Sequence, residues 1–141
     1  MREILFKAKR KDNGKWVKGD AIHEPIGMSI RYEKNGMSVR VPVDPDTLCQ
    51  YTGLTDKNGQ KIWENDILRR DGYWDMRIEF ENGAFMVRNA DKIQYINRVT
   101  YTSISTFDIK EYEVIGNIFD NPELLEEKWY GKTIAGTENI P

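Results

Sequence analysis

"WDMRIEFENGAFMVRN", residues 74–89, decides the fold class. Apolar and polar residues alternate on both sides of Asn82-Gly83. That dipeptide is a strong hairpin signal, because a type I′ turn needs positive φ at both central positions. Closing the chain there sets Phe80 opposite Phe85 and Ile78 opposite Val87, an expected core face. Glu79 then opposes Met86, and Arg77 opposes Arg88 on the other face. Two arginines directly across from each other repel, so an acidic neighbour or solvent must relieve them.

The same rhythm runs through most of the chain. "EILFKAKRK" and "KWVKGDAI" flank Asp12-Asn13-Gly14 and form a first hairpin, and "SIRYEKNGMSVRV" (29–41) forms a second at Asn35-Gly36. "PVDPDTLCQY" reads as a loop, since Pro42 and Pro45 remove two ladder donors and force extended residues before them. In "YTGLTDKNGQKIWENDILRR" (51–70), Asn58-Gly59 closes a hairpin and Lys61 to Trp63 is a short return strand. Asn65-Asp66 then swings the chain into Ile67-Leu68. Asn58, Gly59, Trp63, Asn65 and Asp66 are therefore structural positions. "DKIQYINRVTY" spaces Ile93, Ile96 and Val99 as a short helix does, whereas "TSISTFDI" is extended. "EYEVIGNIFD" is a strand. "DNPELLEEKWY" is a short helix with Asp120 or Asn121 as N-cap, Pro122 at its first position and Glu123 at the positive end of the dipole. "NGKWVKGDAI" (13–22) and "NGQKIWENDIL" (58–68) share an order of Asn-Gly, Trp, Asp and apolar residue, as two similarly built hairpins would.

A chain of 141 residues with 39% apolar and 11% aromatic residues suits one domain or two very small ones. No run approaches the ~20 apolar residues of a membrane helix. The start, "MREILFKAKRK", reverses the order of a secretory signal, so the expectation is a cytoplasmic protein. Cys49 has no internal disulfide partner and reads as a small core residue. The net charge of −2 conceals a basic first twenty residues and an acidic last thirty. Such a gradient serves a partner or pairs within the fold.

Catalytic chemistry is sparse. The single histidine, His23, has no nucleophile motif to activate and no set of metal ligands around it. Phosphate-binding glycine loops are absent. No catalytic residue, cofactor or metal is therefore assigned, and an acid-pair enzyme stands only as a last alternative. Binding chemistry offers more. In "RRDGYWDMR" (69–77), Tyr73 and Trp74 follow Asp71-Gly72 and are candidate partner anchors. Trp16 and Trp63, inside strands, are expected in the core. Lys7, Lys9, Arg10 and Lys11, with Arg69 and Arg70, are the candidates for a nucleic-acid surface, where phosphate contacts combine with base stacking.

Three segments together resemble the YopX family: "MREILFKAKRKDNGKW", "QYTGLTDKNGQKIWENDIL" and "EYEVIGNIFDNPELL". Their order and spacing carry the resemblance from residue 1 to about 126. Asn65 stands where the family commonly has glycine, and asparagine is the next most tolerant residue for a left-handed turn. Lys9 stands where an aromatic residue is often found. The resemblance implies a mainly β fold with an SH3-like small barrel, and a phage or prophage protein in a bacterial host cell. No activity or catalytic residue comes with it. The expected organisation is an N-terminal β-hairpin unit (1–48), a barrel body ending in one short C-terminal helix (49–130) and a tail (131–141). The expected function is non-catalytic binding of a protein partner or of a second copy. An unpaired sheet edge favours such association. Nucleic-acid binding through the basic N-terminal strand is the alternative.

Overall fold

A computed structural model of the protein describes residues 2–89, 101–104 and 108–125. The expected helix around Ile93–Val99, the tail and most of the C-terminal helix lie outside the described residues. The fold is mainly β, in two antiparallel sheets, with neither closed into a barrel among the described residues. The chain divides after Leu54 into two compact units.

In the first unit, β1 (Phe6–Lys9), β2 (Trp16–Glu24), β3 (Gly27–Lys34), β4 (Met37–Val43) and β5 (Cys49–Thr55) lie side by side in the order β4-β3-β2-β1-β5. The expected turns are present. Gly14 has φ 73°, and Asn35 and Gly36 have φ 52° and 79°, the positive pair that a type I′ hairpin requires. A third hairpin, at Pro25-Ile26, escaped the sequence reading, and it joins Glu24 to its partner Gly27. Pro42 also differs from expectation. It sits inside β4, where an outermost strand tolerates a missing N–H. The loop shrinks to a 3-10 turn, Pro45–Thr47, capped by the Asp44 side chain accepting from the Asp46 N–H.

Ala8, Ile30, Val41 and Val43 form the centre of this unit, with Phe6, Val17, Ala21, Met28, Tyr32, Val39 and Leu48 packed around them. The end of β4 curls back to the chain just after β1. The Asp44 N–H donates to the Lys9 carbonyl at 2.8 Å, and the Lys11 N–H to the Pro42 carbonyl at 3.1 Å. Gly19 permits a close approach on the way, since a Cβ there would lie 2.1 Å from the Arg31 carbonyl oxygen.

The second unit contains β6 (Lys61–Trp63), β7 (Asp66–Arg69), β8 (Met76–Glu81), β9 (Ala84–Asn89), β10 (Tyr101–Ser103) and β11 (Glu113–Asn117). Its five-stranded sheet has the order β10-β9-β8-β7-β11. The β8–β9 register is the expected one: Ile78↔Val87, Phe80↔Phe85, Glu79↔Met86 and Arg77↔Arg88. Asn82 and Gly83 have φ 52° and 81°. Ile78 and Val87 are buried, but the expected core face ends there. Phe80 is 51% exposed beside the hairpin tip, in a T-shaped contact with Phe85 at 5.2 Å. β7 is an interior strand, paired on both sides, and is fully buried at both Ile67 and Leu68. The chain then makes a 3-10 turn, Ile109–Glu111, before β11, and another, Pro122–Leu125, after it. The second begins at Pro122 as expected, yet it is a single 3-10 turn within the described residues, and Asn121 directs its side chain to the Asn117 N–H instead of capping it.

Candidate functional site: an arginine-tyrosine ledge

Loop 70–75 leaves β7 and returns as β8. Its base is clamped by Arg69, whose Nε and Nη2 each donate to a different oxygen of Asp75 at 3.1 Å. Asp75 is buried, and a two-point guanidinium–carboxylate contact fixes orientation as well as distance. Hydrogen bonding to Asp75 accordingly raises the Arg69 pKa, against the opposing effect of burial. Within the loop the Tyr73 N–H donates to the Arg70 carbonyl at 3.0 Å, closing a turn over Asp71-Gly72 with Gly72 at φ 85°. The turn lifts Tyr73 to the surface, 49% exposed.

Two neighbours hold the Tyr73 ring. The Arg70 guanidinium lies over it, 4.2 Å from the centroid, and 6.0 Å from the ring of Tyr112. Tyr112 meets Tyr73 edge-on, with centroids 6.4 Å apart and planes inclined at 65°. It follows the 3-10 turn Ile109–Glu111, where its N–H donates to the Ile109 carbonyl. Its carbonyl accepts from the Lys57 N–H at 3.0 Å. Burial pushes the Tyr112 hydroxyl above its ordinary range, partly offset by the Arg70 charge. Asp108 lies 3.9 Å from Arg70 and remains 65% exposed. The result is one half-exposed tyrosine, Tyr73, seated between Arg70 and the buried Tyr112 and bordered by the exposed carboxylates Asp71, Asp108 and Glu113.

Of the two expected anchors, Tyr73 is on the surface and Trp74 is half-buried. The six candidate nucleic-acid residues divide between the units. In the first, the Lys7 and Lys9 ammonium groups lie over the Trp16 ring at 4.5 and 5.4 Å, and Arg10 makes a two-point contact with Asp12. Trp16 is thus half-buried beneath lysines, whereas Trp63 is in the core as expected. Lys11 is exposed in the turn that follows β1. Arg69 and Arg70, in the second unit, belong to the clamp and the ledge. Among the described residues no group of three or more His, Cys, Asp or Glu could hold a metal ion. Cys49 is buried and His23 exposed.

The structural positions around Asn58-Gly59 depend on a residue the sequence reading passed over. Asp56 is buried; its Oδ1 accepts from the N–H groups of Asn58 and Gln60 at 2.8 and 2.9 Å. Its Oδ2 accepts from the Val114 N–H on β11 at 2.9 Å. An aspartate two residues before a turn Asn-Gly was the available local signal. Further on, Asp66 Oδ2 accepts from the Trp63 N–H at 2.8 Å, and Asn65 adopts φ 73°, the left-handed value expected of it. Tyr112 was also missed, since nothing local ties it to a loop 39 residues earlier.

No curated protein matches the chain. Among solved structures, it resembles protein EF1440 from Enterococcus faecalis, with a TM-score of 0.54 and 22% identity over 89% of this chain and 100% of that one. This likeness concerns the fold alone. Residues 5–126 match the family model described as YopX protein, so the chain belongs to the YopX family.

Proposed function

We propose that the protein is a non-catalytic binding module that engages a protein partner through Tyr73 and Arg70, with the buried Tyr112 supporting the Tyr73 ring from beneath. The observation that carries this reading is the state of Tyr73. A large aromatic residue is half-exposed on a loop whose base and ring are both fixed. Anchors of that kind bind at small entropic cost, because little freedom remains to be lost. The order of the second sheet supports an SH3-like reading of this unit. Four strands meander through β7, β8, β9 and β10, and a 3-10 turn leads into a fifth that pairs beside the first. The biological setting that fits is a phage or prophage protein acting in the cytoplasm of a bacterial host.

The test is capture of partners from host-cell extract by the tagged full chain, with and without nuclease, alongside Tyr73→Ala. Retention after nuclease, with loss on Tyr73→Ala, is the expected result. Light scattering on the purified protein separates a second copy from a foreign partner. Material that disappears with nuclease and is indifferent to Tyr73 would instead favour nucleic acid bound through Lys7, Lys9, Arg10 and Lys11.

A further inference from the structure

We infer that β4 pairs edge to edge with β4 of a second copy of the chain, in an antiparallel register centred on Val39. The strand is the last of its sheet, and among the described residues no strand lies beyond it. The two-residue turn Asn35-Gly36 makes Lys34↔Met37 a hydrogen-bonded pair, and Tyr32↔Val39 and Ile30↔Val41 follow in the same alternation. The main-chain groups of Ser38, Arg40 and Pro42 therefore point away from β3. Towards its end the strand is already covered on that side. Pro42 has no N–H, its carbonyl accepts from the Lys11 N–H, and the Asp44 N–H donates to the Lys9 carbonyl. Ser38 and Arg40 are left, both exposed, each with an outward N–H and C=O that no described strand meets.

A single antiparallel register uses all of these groups. Ser38 of each copy stands opposite Arg40 of the other, and both pairs exchange hydrogen bonds about a two-fold axis at Val39. A shift toward Pro42 would set Arg40 against Arg40 and Ser38 against a residue with no N–H. A shift toward the turn would set Arg40 against Gly36, whose φ of 79° is not that of a strand. The side chains favour the same register. On the core-facing side Val39 meets its counterpart, and Met37, 68% exposed, lies against Val41 of the second copy. Met37 thereby gains the cover that its own unit does not supply. On the polar side Arg40 crosses beside Ser38, a small residue, with Glu33 of the second copy on the strand behind, about 10 Å away between Cα atoms. Both side chains are more than half exposed, so opposite charges face each other across the junction. The open window ends at a turn on one side and at Pro42 on the other, so the pairing closes at two copies.

Sedimentation velocity of the full chain, from about 10 µM to about 1 mM, tests the pairing. A contact this small is expected to give a reversible dimer with a Kd on the order of 100 µM. Ser38→Pro deletes an outward N–H and spares the β3–β4 ladder, so it is expected to abolish the dimer without unfolding the sheet. Glu33→Arg and Arg40→Glu are each expected to weaken the dimer about tenfold, since each sets like charges across the junction. Mixed in equal amounts, those two proteins regain both opposite-charge contacts, and dimer should return to within about threefold of wild-type strength. Misfolding of either variant cannot produce that rescue.

A wild-type chain that stays monomeric up to about 1 mM overturns the inference. So does an assembly that survives Ser38→Pro. A dimer lost with Ser38→Pro but not rescued by the mixture overturns the register about Val39. A monomeric chain whose captured partner is lost with Ser38→Pro gives the edge to a foreign strand and overturns the second copy.

Discussion

Asp56 shows how much a single carboxylate can organise. Burial alone would raise its pKa, but the N–H groups of Val114, Gln60 and Asn58, aided by the Lys110 charge, hold it below the ordinary carboxylate range. A group depressed on folding contributes stability above its unfolded pKa of ~3.9, and that contribution is lost as the pH falls through the folded value. Replacing Asp56 by alanine strands three backbone donors and is expected to cost about 2–4 kcal/mol in denaturant unfolding at neutral pH. The gap between wild type and variant should narrow as the pH descends below ~4, where the wild-type carboxylate also becomes neutral. A gap independent of pH would mean that packing, not charge, is what Asp56 supplies. Gly116 makes a second test at this scale. A Cβ there would meet the Asn121 Oδ1, which accepts from the Asn117 N–H. Gly116→Ala is therefore expected to destabilise by about 1–3 kcal/mol through overpacking. An unchanged midpoint would show that Asn121 gives way without loss.

At the scale of the element, the β8–β9 hairpin joins local and non-local causes. Its turn follows from Asn82-Gly83, and only the left-handed pair of torsions closes a two-residue loop against twisted strands. Asn82→Ala removes the side chain best suited to φ 52° and is expected to cost about 1–2 kcal/mol. The opposed arginines find the acidic neighbour their repulsion calls for. Arg77 Nε lies 2.9 Å from a Glu79 oxygen, and Arg88 donates to that same oxygen through Nε at 2.9 Å and Nη2 at 2.6 Å. Glu79 side-chain exposure is only 13%, so water screens this cluster weakly. Glu79→Gln removes the charge shared by both arginines and is expected to destabilise by about 2–4 kcal/mol. Paired replacement of Glu79 and Arg88 by uncharged residues should recover part of that loss. A Glu79→Gln protein as stable as wild type would place the two arginine charges with other partners.

At the scale of the whole molecule, most of the basic residues that the sequence singles out are engaged by a neighbour within their own unit. Lys7 and Lys9 cover Trp16, Arg10 holds Asp12, Arg69 clamps a loop and Arg70 lies over tyrosines. Fluorescence anisotropy with labelled single-stranded DNA is therefore expected to show no saturable binding at ~0.15 M salt. A binding constant that falls steeply with salt would restore the nucleic-acid alternative. What the sequence determined by itself was local. Type I′ hairpins at Asn35-Gly36 and Asn82-Gly83, the left-handed Asn65 and the short return strand Lys61–Trp63 each follow from torsional preferences within a few residues. Alternation then settled the β8–β9 register. The tertiary structure alone decided which polar groups meet across long separations. Asp56 reaches Val114 and Tyr73 reaches Tyr112 because β11 returns beside β7, setting the end of the 3-10 turn against loop 70–75. It also decided that the expected core face stops at Ile78 and Val87, leaving Phe80 half-exposed against Phe85. The physical reason is the same in each case. A period of two says which side of a strand a residue faces, but coverage of that side depends on chain arriving from elsewhere.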